Sequence, residues 1–252
     1  HHHRAIVTVM IAALYATGVR PGDKYMCPSS PAWGHGLWHG TLAPLALGIE
    51  ISTYAGKFDP EKLLTAIEKF EITNLSAAAT HYRMMRNINN PKKNSLKMKK
   101  LSFTGEPLDT ETAHWAKQTF GHDICSIYGS TEVGVIIANY PGSDDLPVKI
   151  GALGKPLPGC NVSILDQHGK TCQVGEIGEI MLWRGDSFFP VKDLGSIDED
   201  GYYFHHGRAD DVIISAGWTM SAVEIEDILL KHPDITETAV IGVPDVQRGK
   251  IV

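Results

Sequence analysis

Between Lys24 and Tyr128, short apolar runs alternate with segments of helical length, and this alternation limits the fold more than any other feature. Lys24 to Ser29, Ile49 to Tyr54, Ile72 to Ala77, Leu101 to Phe103 and Ile124 to Tyr128 read as strands. Leu37 to Leu47, Phe58 to Glu71, Tyr82 to Ile88 and a span ending at Phe120 read as helices between them. A strand that is apolar throughout is buried on both faces, and a parallel neighbour is reached only through a crossover long enough to hold a helix. The expectation is therefore an α/β chain with a parallel sheet and flanking helices. Local stop signals agree. Arg4 to Thr17 is closed by Gly18 and the turn Pro21-Gly22-Asp23. Asp59 followed by Pro60 is an N-cap with proline at the first helical position, and Asp109 or Thr110 can cap the helix to Phe120.

From about Pro147 the texture changes to short strands split by turns: Asn161 to Leu165, Gly178 to Trp183, Ser196 to Ile197 and Tyr202 to His206. These predict a small β-barrel or twisted sheet over 147–207. A third texture starts near Arg208, with a strand from Val212 to Ser215, a helix from Ser221 to Leu230 and a strand from Thr238 to Val243. The expected organisation is a larger α/β domain over 1–207 and the start of a small α+β lid domain over 208–252.

Net charge of −6, with a basic run only at Lys92-Lys93 and Lys97 to Lys100, argues against a nucleic-acid partner; that run reads as a solvated loop. Cys27, Cys125, Cys160 and Cys172 are widely spaced and form no Cys-x-x-Cys pair, as expected of reduced cytoplasmic thiols without a disulfide. No apolar run approaches the ~20 residues of a membrane span. His1 to His3 are assigned no metal.

Tyr128-Gly129-Ser130-Thr131-Glu132 reads as a buried strand running out into a tight polar turn. In open α/β sheets ligands bind at that edge. The turn supplies an aromatic face for a base, a glycine for close backbone approach, two hydroxyls for phosphate oxygens and a carboxylate for Mg²⁺. Alone it is equally an ordinary strand exit with a solvated glutamate. Other matches fail. Gly151 to Pro156 lacks the Ser/Thr of a phosphate loop, His35 and His39 lack a third zinc ligand, and Arg184-Gly185-Asp186 is a turn.

Four features in order carry a specific likeness: Thr104-Gly105-Glu106-Pro107; Tyr128 to Glu132; Gly151-x-x-Gly154-Lys155-Pro156-x-Pro158-Gly159; and Asp193-Leu194-Gly195 followed by Gly207-Arg208-Ala209-Asp210-Asp211. Together they resemble the adenylate-forming superfamily of acyl-CoA synthetases, peptide-synthetase adenylation domains and luciferases. Ser30 to Gly48 and Val212 to Glu226 are most similar to the short- and medium-chain acyl-CoA synthetases. The resemblance implies ATP-dependent activation of a carboxylic acid as acyl-AMP and transfer to coenzyme A. It implies that Gly105, Glu106 and Pro107 line the adenine, that Tyr128 stacks on it with Gly129 and Ser130 alongside, and that Thr131 contacts phosphate while Glu132 holds Mg²⁺. Asp193 and Arg208 would take the ribose. Trp33, Val133 and Gly134 would border the acyl group, with core packing the other reading of Trp33. Gly217 would pass the pantetheine arm, and Asp210 would be the hinge of the small domain.

The chain departs from the family in places. Val191-Lys192-Asp193 stands where Thr-Gly-Asp is usual, and Thr219 where many relatives have arginine. The family's phosphate-binding loop and adenylating lysine find no counterpart in these residues, so the expectation is an internal fragment with little adenylation of its own and an oligomeric state left open. Adenylation for a carrier protein, or an inactive nucleotide-binding module, are the alternatives.

Overall fold

The computed structural model describes residues 2–88, 96–209, 213–215, 218–232, 234–235, 237–245 and 249–252. It divides into two units, His1–Cys160 and Asn161–Val252. Among the described residues no helix is long and apolar enough to cross a membrane, and all four cysteines are free.

The first unit opens with α1 (Ala5–Tyr15) and then follows the alternation read from the sequence. Its elements are β1 (Lys24–Cys27), a π-helix (His35–Leu42) continuing into α2 (Ala43–Ala46), β2 (Glu50–Thr53), α3 (Pro60–Lys69), β3 (Asn74–Ala78), α4 (Ala79–Arg86), β4 (Lys100–Thr104), α5 (Thr110–Phe120) and β5 (Ile124–Ser130). These five strands are parallel, in spatial order β2-β1-β3-β4-β5. The caps expected from sequence form. Asp59 accepts from the Glu61 and Lys62 amides at 3.0 and 3.1 Å, and Asp109 accepts from the Thr112 amide at 2.8 Å. Gly121, not singled out in the sequence, closes α5 at φ +79°.

One face of the sheet, carrying Met26, Leu75, Leu101 and Ile124, packs on Leu63 and Ile67 of α3, Tyr82 and Met85 of α4, and Ala113 and Ala116 of α5. Tyr25 and Cys27, which point to the other face, pack with Ala13 of α1 and Ala43 of α2. Lys100 departs from the solvated run read in the sequence. Placed at the start of β4, it is partly buried, with its ammonium 2.8 Å from Asp23 and 2.7 Å from the Gly18 carbonyl. Asp23 also accepts from the Arg20 amide, so the pair has the extra hydrogen bonds that a buried charge requires.

Two further expectations are corrected in this unit. The strand at Tyr128 does not end there: β5 runs to Ser130 and folds back as a hairpin with β6 (Gly134–Ala138), which pairs in turn with β7 (Ala152–Pro156). Glycine makes the reversal. Gly134 sits at φ +71°, and a Cβ on Gly129 would lie 1.9 Å from the Gly134 carbonyl oxygen. β7 occupies the stretch rejected as a phosphate loop, and Gly154 lets it lie against β6, since a Cβ there would meet the Ala138 carbonyl oxygen at 2.0 Å. The helix expected over 37–47 begins at His35 and is π-helical through Leu42.

The wide π turn follows from glycines pressed against neighbours. A Cβ on Gly36 would fall 2.3 Å from the Ser30 carbonyl oxygen, and one on Gly40 would fall 2.9 Å from the Cys27 sulfur. His35 is fixed at both ring nitrogens, Nδ1 3.0 Å from the Ser29 hydroxyl and Nε2 2.9 Å from the Ser76 hydroxyl. His39 lies buried below it.

In the second unit β8 (Val162–Leu165), β9 (Gly178–Trp183), β10 (Phe188–Ile197) and β11 (Tyr203–Arg208) are antiparallel in the order β11-β10-β9-β8. β10 is far longer than the two residues read as strand. Pro190 obscures it in the sequence, yet β11 pairs with β10 only from Asp193 onward, so the missing proline N–H costs no bond there. A second sheet holds β12 (Ile213–Ser215), β13 (Trp218–Met220), β14 (Val243–Asp245) and β15 (Gly249–Ile251) in the order β13-β12-β15-β14, with α6 (Ala222–Leu229) capped by Ser221. The strand expected over 238–243 is absent there and pairing starts at Val243. The Val240 amide donates instead to the Glu226 carboxylate at 2.8 Å.

Burial pushes the His35 pKa down to about 3, with His39 and His81 adding repulsion, and burial pushes His39 down to about 4. The unfolded chain protonates both near pH 6.5, which the folded chain resists. Stability is therefore greatest above pH 6.5 and falls as the pH drops toward 4, with a limiting slope of about 1.4 kcal/mol per pH unit for each histidine. Urea midpoints measured across this range should show that fall, and the His35→Gln, His39→Gln double variant should flatten it.

Candidate nucleotide site

β1, β3, β4 and β5 all finish at the same edge of the parallel sheet, and the order β2-β1-β3-β4-β5 reverses direction between β1 and β3. Open α/β sheets bind ligands outside the carboxyl ends of their strands, at such a switch point. The hydroxyls of Ser29 and Ser76 meet across it on the two nitrogens of His35. Just beyond stands Trp33, 74% exposed in this structure.

The exits of β4 and β5 carry the residues singled out in the sequence. Gly105, Glu106 and Pro107 follow β4 and are exposed, with Gly105 at φ +101° and open space where a Cβ would lie. Tyr128 is half-buried, while Thr131 and Glu132 are exposed at the hairpin turn, Val133 is half-buried and Gly134 exposed. Ser130 donates to the Glu132 carboxylate at 2.7 Å.

Helix α4 meets the β4 exit with charge. Thr80 donates to the Glu106 carboxylate at 3.0 Å. Arg83 donates from Nη1 to Glu106 at 2.8 Å, from Nη2 to the Pro107 carbonyl at 2.6 Å and from Nε to Asp109 at 3.1 Å. Arg86 holds the other oxygen of Asp109 at 2.9 Å and the Thr112 hydroxyl at 3.0 Å. Partial desolvation would raise the Asp109 pKa, but the Thr112 amide and hydroxyl with the two arginines hold it below the usual carboxylate range. Sequence reading placed Arg83 in a helix and singled out neither it nor Thr80, because only the crossover brings them to the loop 23 to 26 positions later.

In the second unit Asp193, 7% exposed, pairs with Arg208 at 3.2 Å and lies 3.7 Å from His205. The two residues are partners across β10 and β11, with Asp193 buried and Arg208 exposed. The register shifts on both flanks of Asp193, after Pro190 toward β9 and before Gly195 toward β11. Bulges of this kind re-aim a side chain. The residue before it, Lys192, stands at φ +67°, a conformation glycine takes freely and other residues take at a cost. Asp210 and Gly217 lie outside the described residues, as does the side chain of Thr219.

This arrangement of a switch-point sheet edge with a Gly-Glu-Pro loop beside an aromatic-hydroxyl-carboxylate hairpin is that of a nucleotide-binding enzyme fold. The chain belongs to the AMP-binding enzyme family, whose model matches residues 1–190, and the model of the AMP-binding enzyme C-terminal domain matches residues 224–252. It is 33% identical to an uncharacterized acyl-CoA ligase, YtcI, of Bacillus subtilis over 91% of this chain and 47% of that protein. It is 34% identical to the mitochondrial acyl-coenzyme A synthetase ACSM3 of Rattus norvegicus over 89% of this chain and 42% of that protein. Among solved structures, an acyl-CoA synthetase of Brucella canis superposes with a TM-score of 0.75 at 31% identity, covering 98% of this chain and 49% of that one. ATP-bound MatB of Rhodopseudomonas palustris superposes with a TM-score of 0.85 at 27% identity, covering 97% and 51%. The chain spans about half the length of the curated relatives it matches.

The left-handed turn at Lys192 is testable by stability. Lys192→Gly should stabilise by up to about 1 kcal/mol, whereas Lys192→Val should destabilise by at least about 1 kcal/mol. Equal urea midpoints for the two variants would show that the loop relaxes out of this conformation.

Proposed function

We propose that the protein carrying this chain is an ATP-dependent acid:CoA ligase, which activates a carboxylic acid as acyl-AMP and passes the acyl group to coenzyme A. The observation that carries this reading is that the Gly105–Pro107 loop and the Tyr128–Glu132 hairpin leave the adjacent strands β4 and β5 at one sheet edge, in a chain of the AMP-binding enzyme family. Its similarity to the acyl-CoA ligase YtcI and to the acyl-coenzyme A synthetase ACSM3 supports it.

In this reading Gly105, Glu106 and Pro107 line the adenine, and the Tyr128 ring stacks on it beside Gly129 and Ser130. Thr131 donates its hydroxyl to a phosphate oxygen. Asp193 accepts from the ribose hydroxyls and Arg208 adds a charged donor, a combination stronger than neutral hydrogen bonds. Val133, Gly134 and Trp33 border the acyl group. Glu132 is the residue for Mg²⁺, and its setting fits that ion. Among the described residues no group of three or more His, Cys, Asp or Glu could hold a metal. Mg²⁺ characteristically binds through one or two carboxylates with substrate phosphates and water completing its shell. When bound, the ion neutralises the charge that builds on departing pyrophosphate. Ser130 fixes the glutamate for that role through its 2.7 Å hydrogen bond.

We further propose that residues 1–207 are the later part of the large adenylate-binding domain, with a barrel portion over 147–207. The small domain begins at 208, turns about Asp210 and passes the pantetheine arm at Gly217.

Calorimetric titration tests the reading. The protein at its full natural length should bind AMP without metal and bind ATP more tightly with Mg²⁺ than without it. Asp193→Ala should weaken both ligands by about 10- to 100-fold, the worth of one or two charge-assisted hydrogen bonds. Glu132→Ala should remove the Mg²⁺ enhancement for ATP and leave AMP nearly unchanged. A folded protein that binds neither nucleotide would overturn the assignment.

A further inference from the structure

The Gly105–Pro107 loop faces solvent on one side and is tied on the other by a single arginine. Arg83 reaches the Glu106 carboxylate, the Pro107 carbonyl and the Asp109 carboxylate through three different nitrogens. Stability is a poor explanation for this cluster. The Arg83 side chain is 32% exposed and those of Glu106 and Asp109 are 44% and 42% exposed, and ion pairs as open as these contribute about 0–1 kcal/mol. A planar guanidinium that engages three acceptors on consecutive turns of one loop contributes geometry instead. It fixes both where the Glu106 carboxylate points and where the Pro107 carbonyl lies, and Thr80 closes the same carboxylate from the preceding turn of α4 at 3.0 Å.

We propose that Arg83 is a positioning residue for base recognition: by clamping Glu106 and Pro107 from behind, it holds the Gly105–Pro107 backbone in the register that reads adenine. This rests on the nucleotide reading above. It assigns Arg83 an effect on the base alone, since its three contacts all lie on the β4 exit and none on the Tyr128–Glu132 hairpin. A displacement of about 1 Å in such a loop is enough to cost one to two orders of magnitude in a positioned interaction.

The test uses the protein at its full natural length and three probes: AMP, IMP, which differs only in its base, and ribose 5-phosphate, which has none. Arg83→Ala should weaken AMP about tenfold and shrink the preference for AMP over IMP, with the affinity for ribose 5-phosphate unchanged. Arg83→Lys, which keeps the charge and one contact, should fall between. Arg86→Ala breaks the same ion-pair cluster one helical turn further on without touching Glu106 or Pro107; it should shift the unfolding midpoint but leave the base preference intact. Equal losses for AMP and ribose 5-phosphate in Arg83→Ala, or an unaltered preference for AMP over IMP, would overturn the positioning role. Failure of the unsubstituted protein to bind AMP would overturn it together with the nucleotide reading, so the two failures are distinguishable.

Discussion

Parallel pairing is the constraint on which the first unit depends. Strands that run the same way can satisfy their amides only if the chain returns between them over one face of the sheet. Each return here carries a helix, and each helix buries an apolar stripe on the strands it has just crossed. The consequence for chemistry is directional. All the strand exits gather at one edge, so residues as distant in the chain as Ser29, Glu106 and Glu132 leave the sheet on the same side.

Polar groups are placed by the same constraint. At the amino ends of the strands Lys100 and Asp23 form a largely buried pair that ties the start of β4 to the turn before β1. Farther along, His35 spans the switch point between two serine hydroxyls and is kept neutral by burial. Where the β4 loop emerges, charge is exposed and organised as a clamp, with Arg83 and Arg86 against Glu106 and Asp109. In the second unit a different device serves a similar end. Two bulges and a left-handed lysine turn the Asp193 carboxylate toward Arg208 from the middle of a ten-residue strand.

Most of the fold was legible because its signals are local. Strand-helix alternation, the Asp59 and Asp109 caps and the end of α5 at Phe120 each depend on a few neighbouring residues, and the structure shows them where they were expected. The misreadings share a cause. The continuation of β5 past Tyr128 depends on Gly134 four residues after Ser130, and the length of β10 depends on its pairing with β9, which takes in Pro190 opposite Met181. Lys97 to Lys100 looked like one solvated run, yet Lys100 differs from the others because Asp23 waits 77 positions earlier. Pairing partners of this kind cannot be read from the residues they rescue.

By itself, then, the amino-acid sequence determined the class of fold, the caps at Asp59 and Asp109 and the order of the motifs that mark the AMP-binding enzyme family, since periodicity, capping and short motifs are properties of adjacent residues. Tertiary structure alone decided that Trp33 is exposed, that His35 bridges two serines, that Asp193 faces Arg208 and that Arg83 grips the Gly105–Pro107 loop. These facts depend on through-space contacts between segments 15 to 41 residues apart, and the distance between such segments is set by how the strands pair and the helices pack.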